Sequence, residues 1–517
     1  MNGADILIRT LIASGIDTCF TNPGTSEMHI VGALDRTDGI RCVLGLFEGV
    51  VTGAADGYAR MADKPACTLL HLGPGLANGL ANLHNASRAH VPMINIVGQH
   101  ATDHLQYDTP LKSDIEAIAR PYSKWLRTAC GADRISHDAA EAIAAANTSP
   151  GQIATLIVPA NVAWSDVSLA NSSIVEASAV LRAPMPDSEK IEQAAVMLQS
   201  RLRTAVLLAD KGLYGRGLEA AGRIAAASNA KLLAPYPFTR MRRGLGLPVV
   251  DRMHYVLEQA IEQLKEFHHL ILVGSQAPIS YFAYPGKSSV ITPAGCVVHT
   301  LSSANEDCVG ALETLVGLLP GRKIPVAAEC ERPSTPSGEI TAQGLAMTIA
   351  ALLPENAIVI DESMTSGRGL MAATRNCPPH DWLTNTGGSI GIAMPLAVGA
   401  AVACPDRRVL CLSADGSGMY TAQALWTMAR ESLKITTVIF ANRAYAVLKR
   451  EFAGLGMGDP GALASSLFDI GRPDIDWISL AKSMGVPGTR AATLDTFVQA
   501  LRAGFQAEGP SLIEVKL

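Results

Sequence analysis

Three stretches of this sequence repeat one local pattern: an apolar run, a glycine-containing turn, an amphipathic segment of helix length and a second apolar run. In the first third, Ala66-Cys67-Thr68-Leu69-Leu70-His71 leads into Gly73-Pro74-Gly75, and Met93-Ile94-Asn95-Ile96-Val97 follows. The middle third has Ala205-Val206-Leu207-Leu208-Ala209 and Leu270-Ile271-Leu272-Val273-Gly274. The last third runs from Arg408-Val409-Leu410-Cys411-Leu412-Ser413 through Asp415-Gly416 and a helical stretch, Ala422 to Glu431, to Ile435-Thr436-Thr437-Val438-Ile439-Phe440. Short apolar runs alternating with helical patterns fold as parallel sheets covered by helices on both faces. Two Pro-rich polar stretches interrupt the periodicity, Arg182-Ala183-Pro184-Met185-Pro186-Asp187 and Glu331-Arg332-Pro333-Ser334-Thr335-Pro336-Ser337. The expectation is an α/β chain of three doubly wound parallel-sheet domains, 1–170, 185–325 and 338–517.

A length of 517 residues with 48% hydrophobic content supplies the core such domains need. The net charge of −5 argues against nucleic acid as the main partner. Its one dense basic cluster, Arg240-Met241-Arg242-Arg243, reads as a solvated loop. No apolar run reaches the ~18 residues that cross a bilayer, so no membrane partner is expected. Met1-Asn2-Gly3-Ala4-Asp5 does not resemble a secretion signal. The ten cysteines form no Cys-x-x-Cys pair; they read as single, reduced core residues, such as Cys67 and Cys411, of a cytoplasmic protein.

Ligands of open parallel sheets bind outside the carboxyl ends of the strands. Asp415 and Asn442 close two such strands with 26 residues between them, a length that suits one right-handed crossover. One carboxylate and one amide oxygen suit a hard cation such as Mg²⁺ that also binds a phosphate. Gly416, Ser417 and Gly418 let backbone N–H groups approach an anion at a helix start. The same residues could equally be a turn and a cap. No Walker A loop occurs, and Gly215-Arg216-Gly217 and Gly73-Pro74-Gly75 lack dinucleotide spacing.

Ala414-Asp415-Gly416 followed by Asn442 resembles the diphosphate motif of the thiamine diphosphate enzymes of the decarboxylase and acetolactate synthase type, with Ala414 in place of the motif's first Gly. Three further segments carry the resemblance: Phe47-Glu48-Gly49 through Arg60, Gly388-Ser389-Ile390-Gly391, and Asn22-Pro23-Gly24-Thr25. The resemblance implies a pyrimidine-binding first domain, a central domain and a diphosphate-binding third domain. It implies thiamine diphosphate and Mg²⁺, with Asp415, Asn442 and the Ala444 carbonyl as metal ligands. Glu48 would share a proton with the aminopyrimidine N1′. Ile390 would wedge between the two rings, and the Gly388 carbonyl would orient the 4′-amino group. Gly416, Ser417, Tyr445 and Thr365 complete the implied cofactor set. The implied reaction is cleavage or formation of a carbon–carbon bond next to a carbonyl, starting from a 2-oxo acid or an aldehyde.

Within that family, His71 and Thr25 are similar to the benzoylformate decarboxylase group, and an imidazole can give and take protons near neutral pH. The central stretch Ala277–Tyr284 lacks that group's second His, and Glu451 stands where an aromatic is found. Gln106, in Thr102-Asp103-His104-Leu105-Gln106, resembles an acetolactate synthase residue, so a synthase-like transferase is the alternative, as is a lyase of 2-hydroxy ketones or 2-hydroxyacyl-CoA. The implied substrate pocket is Thr25, His71, Gln106, Val447 and Glu451. His84, His90 and His100 are expected to be surface or structural. FAD is not expected. The resemblance also implies a homodimer at least, and a homotetramer.

Overall fold

The computed structural model describes residues 1–168, 170, 172–178, 182–321 and 332–517. Its first sheet contains β1 (Thr18–Asn22), β2 (Arg41–Leu44), β3 (Ala66–Leu70), β4 (Met93–Gln99), β5 (Trp125–Thr128) and β6 (Ile153–Pro159), in the order β2-β1-β3-β4-β6-β5. The middle region forms β7 (Thr204–Leu208), β8 (Lys231–Ala234), β9 (Arg240–Arg243), β10 (Asp251–Arg252), β11 (His269–Val273) and β12 (Val297–Ser302). Five of these make the second sheet, β10-β8-β7-β11-β12. The last region adds β13 (Ile358–Glu362), β14 (His380–Thr384), β15 (Val409–Ala414), β16 (Ile435–Ala441), β17 (Gly488–Ala491) and β18 (Ser511–Lys516). The third sheet is β17-β18-β16-β15-β13-β14-β9. Within these sheets, among the described residues, every strand pairing is parallel except β9 with β14. The expected three-sheet α/β architecture is what the chain adopts, and each apolar run named above lies on a strand. Of the two linkers, 182–187 and 332–337 are irregular backbone, while Glu331 lies outside the described residues.

Two expectations need correction. The basic cluster 240–243 is not a solvated loop. It is β9, lent by the middle region to the edge of the third sheet, with Met241 fully buried. Alternation puts Met241 on the apolar face, while Arg240 and Arg242 both reach the buried carboxylate of Asp381. The cysteines are not all single core residues either. Cys42 and Cys130 are exposed, and Cys42, Cys19 and Cys67 are register partners across β2, β1 and β3.

The first and third regions share one apolar core, in which the helix Glu48–Ala62 lies along the helix Ala393–Ala403. Small residues allow the approach: a Cβ at Gly57 would stand 2.1 Å from the Leu396 carbonyl oxygen, and one at Gly399 1.8 Å from that of Ala54. At the far end of the first helix, Arg60 is fully buried and binds Asp56 through two nitrogens, at 2.6 and 2.7 Å. It also donates to the carbonyls of Thr384 at 2.9 Å and Thr239 at 3.2 Å. One guanidinium thus joins all three regions, and its five fixed donors are why an arginine is needed there.

Candidate active site

Two sets of side chains gather at carboxyl ends of strands. The first lies above β1 and β3. Asn22-Pro23-Gly24 leaves β1 and enters a short 3₁₀ turn, Thr25–Glu27, whose Glu27 accepts the Gly24 N–H at 2.8 Å. Glu27 is wholly buried, and the same oxygen, Oε2, lies 2.8 Å from His71 Nδ1. Among the described residues its other oxygen, Oε1, has no hydrogen-bond partner, and it abuts Gly98, where a Cβ would stand 1.7 Å away. A carboxylate facing Nδ1 fixes the proton on that nitrogen and leaves Nε2 as the ring's acceptor. Glycine at 24 is required by the imidazole itself, since a Cβ there would lie 2.2 Å from Nδ1.

Glu48 opens its helix beside this pair. It is nearly buried and accepts from Asn78 Nδ2 at 2.9 Å. Gly75 separates the two groups: its missing Cβ would be 3.2 Å from Glu48 Oε1 and 3.3 Å from His71 Cβ. Glu48 and His71 therefore border one space. Thr25 is exposed on the turn, and the hydroxyl nearer the imidazole is Ser26 Oγ, 3.5 Å from Nδ1. Gln106 is exposed too, its amide turned back onto the Asp103 carbonyl at 2.8 Å. His100, in contrast, feels this site: burial first, then the neighbouring His104 and His71, hold its imidazole below the usual value.

The second set lies above β13, β15 and β16. Asp415 is buried and caps backbone, accepting from Gly416 N at 2.9 Å and Arg443 N at 2.6 Å. Burial pushes its carboxyl above the usual range despite these bonds. Asn442 Oδ1 accepts the Ala444 N–H at 3.0 Å, and the segment holding Ala444 pairs with Asp469. Ser417 is buried, and the Tyr445 ring packs on Gly416, where a Cβ would be 2.6 Å from it. Thr365, just after β13, and Val447, shortly after Asn442, are half-buried. Among the described residues no three acidic, His or Cys side chains converge as a metal cage. One buried carboxylate, one amide oxygen and a run of helix-start N–H groups instead suit a cation already carrying a diphosphate, so the donors fit the implied group.

The loop between β14 and the helix Ala393–Ala403 carries Gly388 and a half-buried Ile390. Gly388 has φ +78°, which glycine tolerates. The first region grips this loop: Asn85 bonds both the N–H and carbonyl of Ser389, and His84 Nε2 donates to the Gly387 carbonyl at 3.0 Å. His84 is thus structural, as expected. From the middle region, the Tyr281 hydroxyl lies over Gly388, 2.3 Å from where a Cβ would be. Glu451 is engaged by that region as well, accepting from the Tyr284 hydroxyl at 2.8 Å.

Sequence reading missed Glu27, Asn78, Asn85, Asn385, Tyr281 and Glu362. Glu27 had a signal, an acidic residue three positions after Gly24 in a capping arrangement. The others had none, because their partners are remote in sequence. A cavity of about 480 Å³ lies elsewhere, between the first and middle regions beside Arg60 and Lys211.

Residues 1–118 match the model of the thiamine pyrophosphate enzyme N-terminal TPP binding domain, and residues 366–515 that of the C-terminal TPP binding domain. A Mycobacterium tuberculosis protein with the provisional name acetolactate synthase large subunit IlvX is 50% identical across 100% of this chain and 99% of its own length. The chain belongs to the thiamine pyrophosphate enzyme family. This thiamine pyrophosphate enzyme is of the decarboxylase and acetolactate synthase type. It is 28% identical to benzoylformate decarboxylase of Pseudomonas aeruginosa over 97% of this chain and 96% of that one. A solved 4-hydroxybenzoylformate decarboxylase of Rhodococcus jostii RHA1 shares its fold, with TM-score 0.88, 24% identity and coverage of 100% and 99%. Among the described residues no helix is long and apolar enough to cross a membrane.

Proposed function

We propose that this enzyme is a Mg²⁺-dependent, non-oxidative decarboxylase of 2-oxo acids that can also ligate the product to a second carbonyl compound. The observation that carries this reading is the Glu27–His71 pair, which shares the space around Gly75 with Glu48. It supplies an oriented proton-transfer group next to the residue that activates the cofactor. A decarboxylase needs such a group to protonate its product.

Thiamine diphosphate supplies, when bound, a nucleophilic carbon that adds to the 2-oxo acid carbonyl and accepts the electron pair released with CO₂. Asp415, Asn442 and the Ala444 carbonyl would hold Mg²⁺. The N–H groups of Gly416 and Ser417 neutralise the phosphate charge, with Thr365 and Tyr445 flanking that end. Glu48 would give and take the proton at N1′, the Gly388 carbonyl would receive the 4′-amino group, and Ile390 would pack against the cofactor. His71, and the hydroxyls of Thr25 and Ser26, meet the substrate carboxylate and carbonyl. Val447 and Glu451 bound the acyl group. In this reading the domains are 1–170, 185–325 and 338–517, and the protein is cytoplasmic.

A second copy completes the site. Among the described residues no hydrogen bond joins Glu27, Glu48 or His71 to Asp415, Asn442 or Gly388. Glu48 bonds Asn78, whereas the Gly388 loop is held at Asn85, about 10 Å further along the same helix. A dimer pairs the first-region set of one subunit with the third-region set of its partner, and two dimers form a tetramer.

The likeness to the IlvX protein supports a second reading, transfer of the acyl product to another 2-oxo acid. One experiment separates them. The protein is incubated with thiamine diphosphate, Mg²⁺ and a panel of 2-oxo acids, and CO₂, aldehyde and 2-hydroxy ketone are measured together. Aldehyde with CO₂ supports the decarboxylase; hydroxy ketone as the main product supports the transferase. No CO₂ from any acid overturns both.

A further inference from the structure

Glu362 ends β13 directly beneath the loop that carries Gly388 and Ile390, and it is buried. Its Oε1 accepts from the Gly391 N–H at 3.0 Å, the Ile392 N–H at 3.4 Å and Asn385 Nδ2 at 3.1 Å. Its Oε2 accepts from the Ala393 N–H at 3.1 Å. All four partners are donors. The Asn385 amide cannot be turned to offer an acceptor, because its Oδ1 takes the Gly388 N–H at 2.8 Å and its Nδ2 also serves the Ser389 carbonyl at 2.8 Å. A proton on either carboxyl oxygen would face a donor, so the charged form is the one this nest fits. The carboxylate also stands at the start of the 11-residue helix Ala393–Ala403, where negative charge is favoured.

We propose that Glu362 is a positioning residue for the cofactor ring. As a carboxylate it gathers Gly391, Ile392, Ala393 and, through Asn385, Gly388 into one fixed loop. That loop presents the Gly388 carbonyl and the Ile390 side chain. The inference rests on the cofactor reading above for its consequence, but the latch itself belongs to the protein alone.

Burial works against the charge and pushes the Glu362 carboxyl up to about 7. The latch is therefore set above neutrality and released as pH falls through that value. Among the described residues few other titratable groups face it. Cys411 on β15 has its thiol pushed up by burial and by the Glu362 charge, and stays neutral. Asp361, on the same strand, turns to Ser363 and the Trp382 indole. Tyr420 packs on Gly391 from above. The loop 385–392 and the helix Ala393–Ala403 carry no titratable side chain.

The test begins with cofactor-free wild-type protein. Amide hydrogen exchange over residues 386–394, corrected for intrinsic rates, is followed from pH 8.5 to pH 5.5. Protection is expected to fall through a midpoint near 7. In Glu362→Gln, whose amide offers one acceptor in place of two, the same amides should exchange about tenfold faster at pH 8 and show no midpoint. Glu362→Asp should recover the midpoint. With thiamine diphosphate and Mg²⁺ added, the rate of thiazolium C2 proton exchange in Glu362→Gln should fall about tenfold or more, while binding of inorganic diphosphate with Mg²⁺ is unchanged. Loop protection independent of pH in the wild type overturns the proposal without needing any variant to fold. So does C2 exchange that is equal in wild type and Glu362→Gln. Failure of the protein to bind thiamine diphosphate at all would sink the cofactor reading instead, and leave the exchange result to judge the latch.

Discussion

Glu27 and His71 meet at 2.8 Å, the carboxylate wholly buried and the imidazole partly open. The pair predicts a coupled loss. His71→Ala should lower decarboxylation about 10²- to 10⁴-fold, the range for a proton-transfer group. Glu27→Gln should cost about 10- to 100-fold, because it removes the group that sets the imidazole tautomer. The double variant should be little worse than His71→Ala alone, since both act through one ring. A steady-state double-mutant cycle checks this; additive losses would contradict it.

Glu48→Gln should bind thiamine diphosphate within about tenfold of wild type and yet lose turnover by at least about 10²-fold. Asn78, its hydrogen-bond partner, can still bond the amide oxygen, so the helix start is preserved. Calorimetric titration with parallel CO₂ assays measures both. Wild-type-like turnover would refute the role.

Asp415→Ala should abolish Mg²⁺-dependent retention of thiamine diphosphate through gel filtration. Asp415 also ties Arg443 to Gly416, so Asp415→Asn is the companion variant: it keeps part of that tie and loses the charge. A binding isotherm unchanged in both would contradict the assignment.

His380 predicts a pH dependence of stability. Burial first, and then the neighbouring Arg243, hold its imidazole down at about 4. The unfolded chain takes up this proton near 6.5, the folded protein only near 4. The contribution is therefore complete above the unfolded value and is lost as pH falls from there towards 4. A neutral variant, His380→Gln, should be less sensitive to acid, by up to the order of 3 kcal/mol over that window. Urea unfolding at pH 8 and pH 4.5 reads the difference; an equal gap at both would count against it.

Arg60→Met should destabilise the protein by about 3–5 kcal/mol, because it leaves Asp56 as a buried, uncompensated charge. Arg60→Met combined with Asp56→Leu should recover most of that. Chemical denaturation of the two variants decides.

The places of Asp415, Asn442 and Glu48 in the fold were legible because they are local. Asp415 and Asn442 are strand ends with glycines or a turn beside them, and Glu48 opens a helix, so periodicity and punctuation place all three. The setting of Glu451 was less legible. Its partner, Tyr284, is 167 positions away, and nothing in the spacing announces the pairing. Arg240-Met241-Arg242-Arg243 misled for a related reason. Four residues with three charges read as solvent-facing until Asp381, a buried counter-charge on another strand, is known.

The sequence by itself determined the three sheets and the place of Asp415 and Asn442 at strand ends, since apolar runs of strand length can be buried only in a layered α/β stack. The tertiary structure alone decided what surrounds them. It put Glu27 behind His71, Glu362 under the Gly388 loop, Tyr281 over it, and β9 on the third sheet. These are contacts between segments far apart in the chain. Their energies depend on desolvation and on which donors meet which acceptors, and neither exists until the chain has packed.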